Sequence, residues 1–334
     1  MPEPFIRYLE PDDASGLVEC FRLCYGETYA NETFYDAGLI TSMIESGELR
    51  SVIAELDNRI VGHTGLTVRS ASSLAAEAGN TVVAPDMRGQ GLLGKLGTAL
   101  RQRTLDEGLV GYIHYPTTAH DIMQKGATAG TGRETGIMLA YIPAETNYVD
   151  FDKQDLDKKD FEKAGRLAAT IVYQPVAESP ERSVYLPGRY IQPIRSLAQA
   201  LNLQRKFYEP GIPAFAESLF KRQENIRRGL SNITINQIGV DLPEKAADFV
   251  GDGSTAVIHV DLNMDDPGID YAVETLVTNG FIYSGWLPEF HQSDVLRMQM
   301  LVNPEEDNYQ PNLVTEQARS LLTLMIEERK SQTG

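Results

Sequence analysis

The segment from Asn80 to Leu100 constrains the fold of this chain more than any other. Its sequence, NTVVAPDMRGQGLLGKLGTAL, reads as a β-strand ending at Pro85, a turn with glycines at 89 and 91, and a helix. Glycine supplies the positive φ and the close backbone approach that such a turn requires. The first amides of the helix lack intrahelical acceptors and, together with the helix dipole, favour a phosphate group. With Arg88 at the turn, a pyrophosphate is the expected ligand.

Two common nucleotide-binding patterns fit this turn poorly. Gly89, Gly91 and Gly94 spell GxGxxG, but the dinucleotide fingerprint also needs an acidic residue about 20 residues further on. The strand that follows, Leu109 to Tyr115, ends at a proline without one. The Walker pattern is absent because Leu96 follows Gly94–Lys95. A surface turn that binds nothing stays open for the bare motif, although the flanking strand and helix favour a ligand.

Hydrophobic patterns around this segment predict an α/β fold. They give the order β-α-α-β-β-β-α-β-α-β, which is typical of a mixed sheet with helices on both faces. The predicted strands are Phe5–Leu9, Ser51–Glu55, Ile60–Val68, Ala76–Ala84, Leu109–Tyr115 and Glu134–Ile142. The predicted helices are Pro11–Tyr25, Phe34–Ser46, Leu92–Glu107 and Thr118–Ala127.

The length of 334 residues predicts two domains. Residues 151–164, FDKQDLDKKDFEKA, are highly charged and indicate a linker or a solvated helix. We therefore expect one domain at 1–146, a linker at 147–164 and a second domain at 165–334. In the second half we predict strands, and helices that include one at Phe215–Arg228. Both halves close with a helix, a glycine, a strand and a proline, which leaves a duplication open.

Charge and composition exclude several classes of partner. The net charge of −17 repels phosphate backbones and anionic lipid, so we expect neither nucleic-acid nor membrane binding. It mildly favours a cationic substrate such as an amine, with an acidity that only aids solubility as the alternative. No apolar run is long enough for a membrane span and no secretory signal begins the sequence, which predicts a cytoplasmic protein. Cys20 and Cys24 lie one helical turn apart and are expected to be packed thiols.

The turn and the strand before it resemble a known motif. Val82–Val83–Ala84–Pro85 followed by Arg88–Gly89–Gln90–Gly91 is similar to the acetyl-CoA-binding motif of the GNAT acyltransferase superfamily, written Q/R-x-x-G-x-G/A. Arg88 and Gly91 match its first and fourth positions, whereas Leu93 stands where Gly or Ala is expected. The element order of residues 5–142 is also that of the family. The second half, with GFIYSGWLPEF and DVLRMQML, resembles the C-terminal domain of two-domain GNAT proteins and lacks a counterpart to RGQG.

The resemblance implies a fold and a co-substrate. The implied fold class is α/β with a mixed sheet, a GNAT acyl-CoA acyltransferase fold followed by a second, degenerate GNAT-like domain. The co-substrate would be acetyl-CoA or another acyl-CoA, with its pantetheine arm paired to the backbone of Val82–Ala84 like an added strand, and no metal is expected. The residues implied in binding it are Val82, Val83, Ala84, Arg88, Gly89, Gln90, Gly91, Leu92, Leu93 and Gly94.

Attack of an amine on a thioester needs a base for the ammonium and an acid for the thiolate. Glu77 stands where such enzymes often carry a glutamate, with a solvated strand-end carboxylate as the alternative. His120, at the start of the next helix, is the second candidate, with a capping or surface histidine as the alternative. The tyrosine that many members use as the acid is missing from MQKGATAG. Tyr112 or Tyr115 could replace it, although strand aromatics usually pack in the core.

Two functions follow from the resemblance. The first is an acyl-CoA-dependent N-acyltransferase, an enzyme that transfers an acetyl or other acyl group to a small-molecule or peptide amine. The second is a non-catalytic GNAT-fold module that senses acyl-CoA or binds a protein partner. The intact Arg88, Gly89 and Gly91 favour the enzyme, and the missing tyrosine favours the module. A homodimer is compatible with either function.

Overall fold

The computed structural model describes residues 3–29, 31–119, 121–144, 165–251, 255–302, 304 and 306–333. These residues form two units, one of residues 3–112 and one of residues 113–143 with 165 onward. Residue 144 also belongs to the first unit, and residue 146, where we expected the first domain to end, lies outside the described residues. Most of the predicted linker at 147–164 lies outside the described residues. The domain limits stay a prediction.

The first unit is built on an antiparallel sheet with the strand order β1-β2-β3-β4. Asp57 and Asn58 connect β2 to β3 and both have positive φ, as a tight two-residue hairpin requires. The strand β5 crosses from this unit into the second. The strands are β1 (Phe5–Tyr8), β2 (Val52–Leu56), β3 (Arg59–Thr67), β4 (Ala75–Val83) and β5 (Gly111–His114).

Helices cover both faces of this sheet. Leu17, Cys20, Phe21 and Cys24 follow helical spacing on α1 and are buried in a core that also contains Ile53 and Val82. Both cysteines are free and buried, so the prediction of packed thiols is confirmed. On the other face, Leu92 and Leu96 of α3 lie over Gly62 of β3. The helices are α1 (Ala14–Tyr25), α2 (Ala37–Glu45) and α3 (Leu92–Asp106), and short 3-10 turns occupy Pro11–Asp13, Glu32–Tyr35 and Pro85–Met87.

The second unit contains a sheet with the strand order β7-β6-β13-β14-β12-β11-β10 and a separate parallel pair, β8 and β9. Its neighbours are antiparallel, except that β11 and β12 are parallel. The strands are β6 (Arg133–Ile142), β7 (Leu167–Pro175), β8 (Arg182–Tyr185), β9 (Arg205–Tyr208), β10 (Leu219–Asn225), β11 (Leu230–Gln237), β12 (Val257–Asn263), β13 (Ile282–Leu287) and β14 (Val295–Leu301). The helices are α4 (Asp121–Thr128), α5 (Ile191–Ala200), α6 (Leu242–Ala247), α7 (Ile269–Thr278) and α8 (Glu316–Thr333). The predicted mixed α/β fold is confirmed.

One predicted element of the second unit is wrong. The sequence Phe215–Arg228, expected to be a helix, contains β10, which pairs with β11 through the turn at Ile226–Gly229. The side chains of β10 are mostly exposed. The segment therefore has no apolar stripe with the 3.6-residue repeat of a helix or the two-residue alternation of a strand. Backbone pairing with β11 rather than local propensity decides this segment. Among the described residues, no helix has the length and apolar character needed to cross a bilayer.

Candidate functional site

The turn between β4 and α3 has the conformation that its glycines predicted. Gly89 and Gly91 have φ of 73° and 75°, in the left-handed region, and Gly91 is the N-cap of α3. A Cβ atom built on either glycine would meet no atom within 4 Å. The amides of the first turn of α3 have no intrahelical acceptor. The backbone of this turn is therefore open to a close approach by an anionic group.

The side chains around the turn give it a positive character. Arg88 is half-buried and donates from Nε to the carbonyl of Val83 at 3.2 Å. The carboxylate of Asp86 is paired with Arg59, which offsets its charge. The pKa of the Cys24 thiol is lowered, first by its hydrogen bond with Cys20 and also by the charge of Arg88. The Arg88 guanidinium is thus held by the strand that leads into the turn.

Val82 and Val83 end β4, and Ala84 leads into the turn. One edge of this segment is hydrogen-bonded to β3. Val82 and Val83 stand opposite His63 and Gly62, and the amide of Ala84 donates to the carbonyl of Val61 at 2.9 Å. Val82 and Ala84 are buried, which fixes this end of the strand. The strand and the turn therefore form one continuous backbone surface that ends at the start of α3.

A β-bulge interrupts β4 just before this surface. The register passes from Gly65 opposite Gly79 to His63 opposite Val82, so that Asn80 and Thr81 together face one residue of β3. Asn80 has φ of 53°, which is uncommon outside glycine, although asparagine tolerates it. The sequence analysis missed this bulge. Gly79 inside a strand pattern was the signal that could have indicated it.

Three side chains contact Asn80. His63 donates from Nδ1 to its carbonyl at 2.7 Å, and the Tyr29 hydroxyl donates to its Oδ1 at 2.8 Å. Asn31 Nδ2 lies 3.5 Å from the same oxygen. Burial lowers the pKa of His63 to about 4, so the ring is neutral near pH 7. Sequence reasoning had singled out none of these four residues.

The structure describes some of the predicted catalytic residues but not all of them. Glu77 lies on β4, three positions before Asn80, and accepts a hydrogen bond from exposed Arg69 at 3.1 Å. His120 lies outside the described residues. Tyr112 is buried in the first unit, where burial raises its pKa. Tyr115 belongs to the second unit, where its ring centre lies 6.1 Å from that of Tyr141.

The tryptophan and two histidines of the second half lie in or at the edge of the interior of the second unit. Trp286 is fully buried and donates from Nε1 to Asp294 at 3.1 Å, which fits a packing role. His259 is buried beside the ion pair of Asp261 and Arg297, and burial lowers its pKa to about 3. His291 is half-buried, and burial lowers its pKa too.

Two strand-to-helix turns of the second unit are filled by their own chain. At Gly188, before α5, the amide donates to Asp270 Oδ1 at 2.7 Å, and Arg189 is paired with Glu274. At Gly239, before α6, a Cβ would overlap the backbone of Glu217 and Ser218.

The Gly239 turn also uses its donors internally. Its amide donates to Ser218 Oγ at 2.9 Å, and the Ser218 amide donates to Asp241 at 2.6 Å. Neither of these two turns of the second unit offers what the turn at Gly91 offers, because the amides of Gly188 and Gly239 already donate to side chains of the same unit.

The comparison with protein families assigns the part of the chain that contains the open turn. Residues 15–122 match the model of the acetyltransferase (GNAT) family. This part of the chain is a GNAT domain. The match includes β4, the turn and α3, and it agrees with the resemblance seen in the sequence. It supports acyl transfer at a general level.

Solved structures similar to the chain include further acetyltransferases. One is an acetyltransferase of the GNAT family from Streptococcus pneumoniae, with 13% identity, a TM-score of 0.41, and coverage of 52% of this chain and 99% of that one. Another is the ribosomal-protein-S18-alanine N-acetyltransferase of Escherichia coli, with 14% identity, a TM-score of 0.39, and coverage of 53% and 96%.

A third is a phosphinothricin acetyltransferase of Sinorhizobium meliloti in complex with acetyl-CoA, with 17% identity, a TM-score of 0.39, and coverage of 53% and 91%. No curated protein matches the chain in sequence. The assignment of the GNAT domain therefore rests on the family model.

Proposed function

We propose that the GNAT domain binds an acyl-coenzyme A and transfers its acetyl or other acyl group to an amine. The observation that carries this proposal is the open turn at Arg88–Gly91, where two glycines with positive φ precede the 15-residue helix α3. A helix start of this kind binds phosphate through its unpaired amides and its dipole. A pyrophosphate-bearing thioester is the donor that the GNAT resemblance implies.

The residues of the turn fit this co-substrate. Amides from Gly89 to Gly94 would hold the pyrophosphate, whereas the predicted Arg88 amide already donates to the Pro85 carbonyl. The open space at Gly89 and Gly91 leaves room for the phosphate oxygens. Val82 to Ala84 would pair with the pantetheine arm along the edge of β4 away from β3. The strand β5 also lies on that edge, where Val110 donates to the Leu74 carbonyl beside the start of β4. The charge of Arg88 favours the phosphates. When bound, the co-substrate supplies an activated acyl carbon.

The acceptor arrives as an ammonium and must lose a proton before its nitrogen can attack. Glu77 is the proposed base on β4, and His120 is the second candidate. The nitrogen forms a bond to the acyl carbon as the carbon–sulfur bond breaks, and the leaving thiolate takes a proton from an acid such as Tyr112 or Tyr115. The net charge of −17 favours a cationic acceptor.

The non-catalytic alternative has one observation in its favour. Helix α4, Asp121–Thr128, contains no tyrosine to protonate a thiolate. A sensing module would bind acyl-CoA at the same turn but release no free CoA in the presence of amines. Binding and turnover must therefore be measured separately.

Thermal unfolding with and without acetyl-CoA tests the binding step. Acetyl-CoA at about 100 times its dissociation constant should stabilise the chain by about 2.7 kcal/mol. Thiol release from acyl-CoAs mixed with pooled amines, with mass spectrometry of the products, tests transfer. No thermal shift at millimolar acetyl-CoA would contradict the binding site, and binding without thiol release would favour the module.

A further inference from the structure

The bulge at Asn80 lies where the reacting end of the donor should arrive, if the proposed function holds. With the pyrophosphate at Arg88–Leu93 and the pantetheine arm along Val82–Ala84, the arm runs back along β4. The four residue steps from Ala84 to Asn80 span about 13 Å of extended strand. The thioester is therefore expected beside the bulge.

The bulge re-aims the backbone of β4 at this point. An extra residue in a strand leaves the ladder locally unpaired and changes the direction in which backbone groups point. Strained backbone at a site persists only when the surroundings over-determine it. Asn80 meets that condition, because its carbonyl and its side-chain oxygen each accept a short hydrogen bond.

The two donors of these hydrogen bonds are themselves held firmly. The His63 ring is fully buried, with ring centres 5.7 Å from Phe21 and 5.5 Å from Phe34. Because Nδ1 faces a carbonyl, it carries the proton, and within the described part of the chain Nε2 has no hydrogen-bond partner. The Tyr29 ring lies 4.9 Å from Phe21, and its amide donates to the Tyr35 hydroxyl at 2.9 Å.

We propose that Tyr29 and His63 are positioning residues that hold Asn80 in its left-handed conformation and thereby place the backbone of the β4 bulge against the acyl group. Neither residue takes part in proton transfer. Tyr29 acts on the Asn80 side chain and His63 on its carbonyl, so that both act through Asn80. This inference rests on the proposed function, because it needs an acyl-CoA along β4.

Tyr29→Phe is the first test, since it removes one hydroxyl and keeps the ring. We expect kcat to fall by 10-fold to about 100-fold, because a misplacement of about 1 Å at a reacting centre can cost that much. The dissociation constant for CoA should stay within about twofold, because the turn is unchanged. The preference for acetyl-CoA over CoA, measured by calorimetry, should shrink, and this readout needs no turnover. Tyr8→Phe, which removes a surface hydroxyl bonded to Asp106, is the matched control.

A double-mutant cycle tests whether Tyr29 acts through Asn80. Asn80→Gly keeps access to positive φ but removes the side-chain acceptor, so adding Tyr29→Phe to it should cause no further loss. Losses that add, or a Tyr29→Phe variant with unchanged kcat and an unchanged acetyl-CoA preference, would overturn the proposal.

Substitution of His63 gives a second, independent test. His63→Asn retains an N–H donor near the position of Nδ1 and should keep more of the acetyl-CoA preference than His63→Leu. Equal loss in both variants would contradict a role through the Asn80 carbonyl. If the parent protein binds acetyl-CoA but releases no CoA with any amine, the transfer reaction fails, while the acetyl-CoA preference still decides the role of Tyr29 and His63.

Discussion

The turn before α3 and the turn before α6 begin alike and end differently. Each follows a strand of a sheet, contains a glycine and leads into a helix. Before α3 the glycines have positive φ and open space around them. Before α6 the amide of Gly239 donates to the Ser218 hydroxyl, and Asp241 accepts from the Ser218 amide. A strand, a glycine and a helix therefore do not make an anion site unless the amides are left without acceptors.

The largest effect expected from this comparison is on CoA binding. Gly91→Val places a branched side chain at a left-handed position and in the space proposed for the pyrophosphate. We expect the dissociation constant for CoA to rise at least about 100-fold, which corresponds to about 2.7 kcal/mol. Calorimetric titration should give one CoA per parent chain. Two per chain, or undiminished binding by the variant, would contradict the assignment.

The reverse pattern is expected at the filled turn. Gly239→Ala adds a Cβ that would overlap the backbone of Glu217 and Ser218. We expect the free energy of unfolding to fall by about 1–3 kcal/mol from overpacking, with no change in CoA affinity. Urea unfolding and calorimetry measure the two quantities. A variant of normal stability would show that this turn is looser than its hydrogen bonds indicate.

The buried histidines should make acid stability differ between the units. The pKa of His63 in the first unit is lowered to about 4, and those of His114 and His259 in the second are lowered to about 4 and about 3, all mainly by burial. Between these values and the ordinary 6.5, the unfolded chain binds protons that the folded chain does not. Stability is therefore present above pH 6.5 and is lost as the pH falls toward 4.

Each such histidine contributes a slope of at most about 1.4 kcal/mol per pH unit. Because the second unit has three histidines of lowered pKa, His114, His259 and His291, and the first has one, we expect the second unit to lose more stability between pH 7 and pH 5. Hydrogen exchange of amides in β3 and in β12, followed over this range, would show the difference. Equal losses in both units would contradict it.

The smallest effect is expected one helical turn beyond the open turn. Gly97 of α3 is exposed, and a Cβ there would meet no atom within 4 Å. Gly97→Ala should stabilise the chain by about 1 kcal/mol through helix propensity, with unchanged CoA affinity. It therefore separates effects on α3 from effects on the turn, and weakened CoA binding would show that the ligand reaches further along the helix than proposed.

Local sequence patterns predicted the open turn well. The strand expected at Ala76–Ala84 is Ala75–Val83, and the helix expected at Leu92–Glu107 is Leu92–Asp106. Proline and glycine mark these limits, and both act through the backbone of their own neighbourhood. The prediction from local patterns was wrong for β10, an exposed edge strand whose apolar residues show neither the helical nor the strand repeat clearly.

The groups that hold the bulge could not be predicted in the same way. Asn80 receives its hydrogen bonds from His63, 17 residues away, and from Tyr29, 51 residues away. Such contacts depend on sheet register and on the packing of α1, which a single sequence does not specify. The status of Glu77 and His120 as catalytic residues stays a prediction.

Contacts between distant parts of the second unit affect the order in which the two units can fold during synthesis. The α4 side chain of Gln124 donates to the Asn312 carbonyl, 188 residues later, and Glu134 of β6 accepts from Thr315, 181 residues later. At about 5–20 residues per second, a ribosome needs roughly 10–40 seconds to cover that distance. The early strand β6 can pair with β7 soon after both are made, but it must wait for β13 and for Thr315, while the first unit can be complete. Proteolysis of stalled nascent chains should show protection of residues 3–112 well before residues 121–142 become protected.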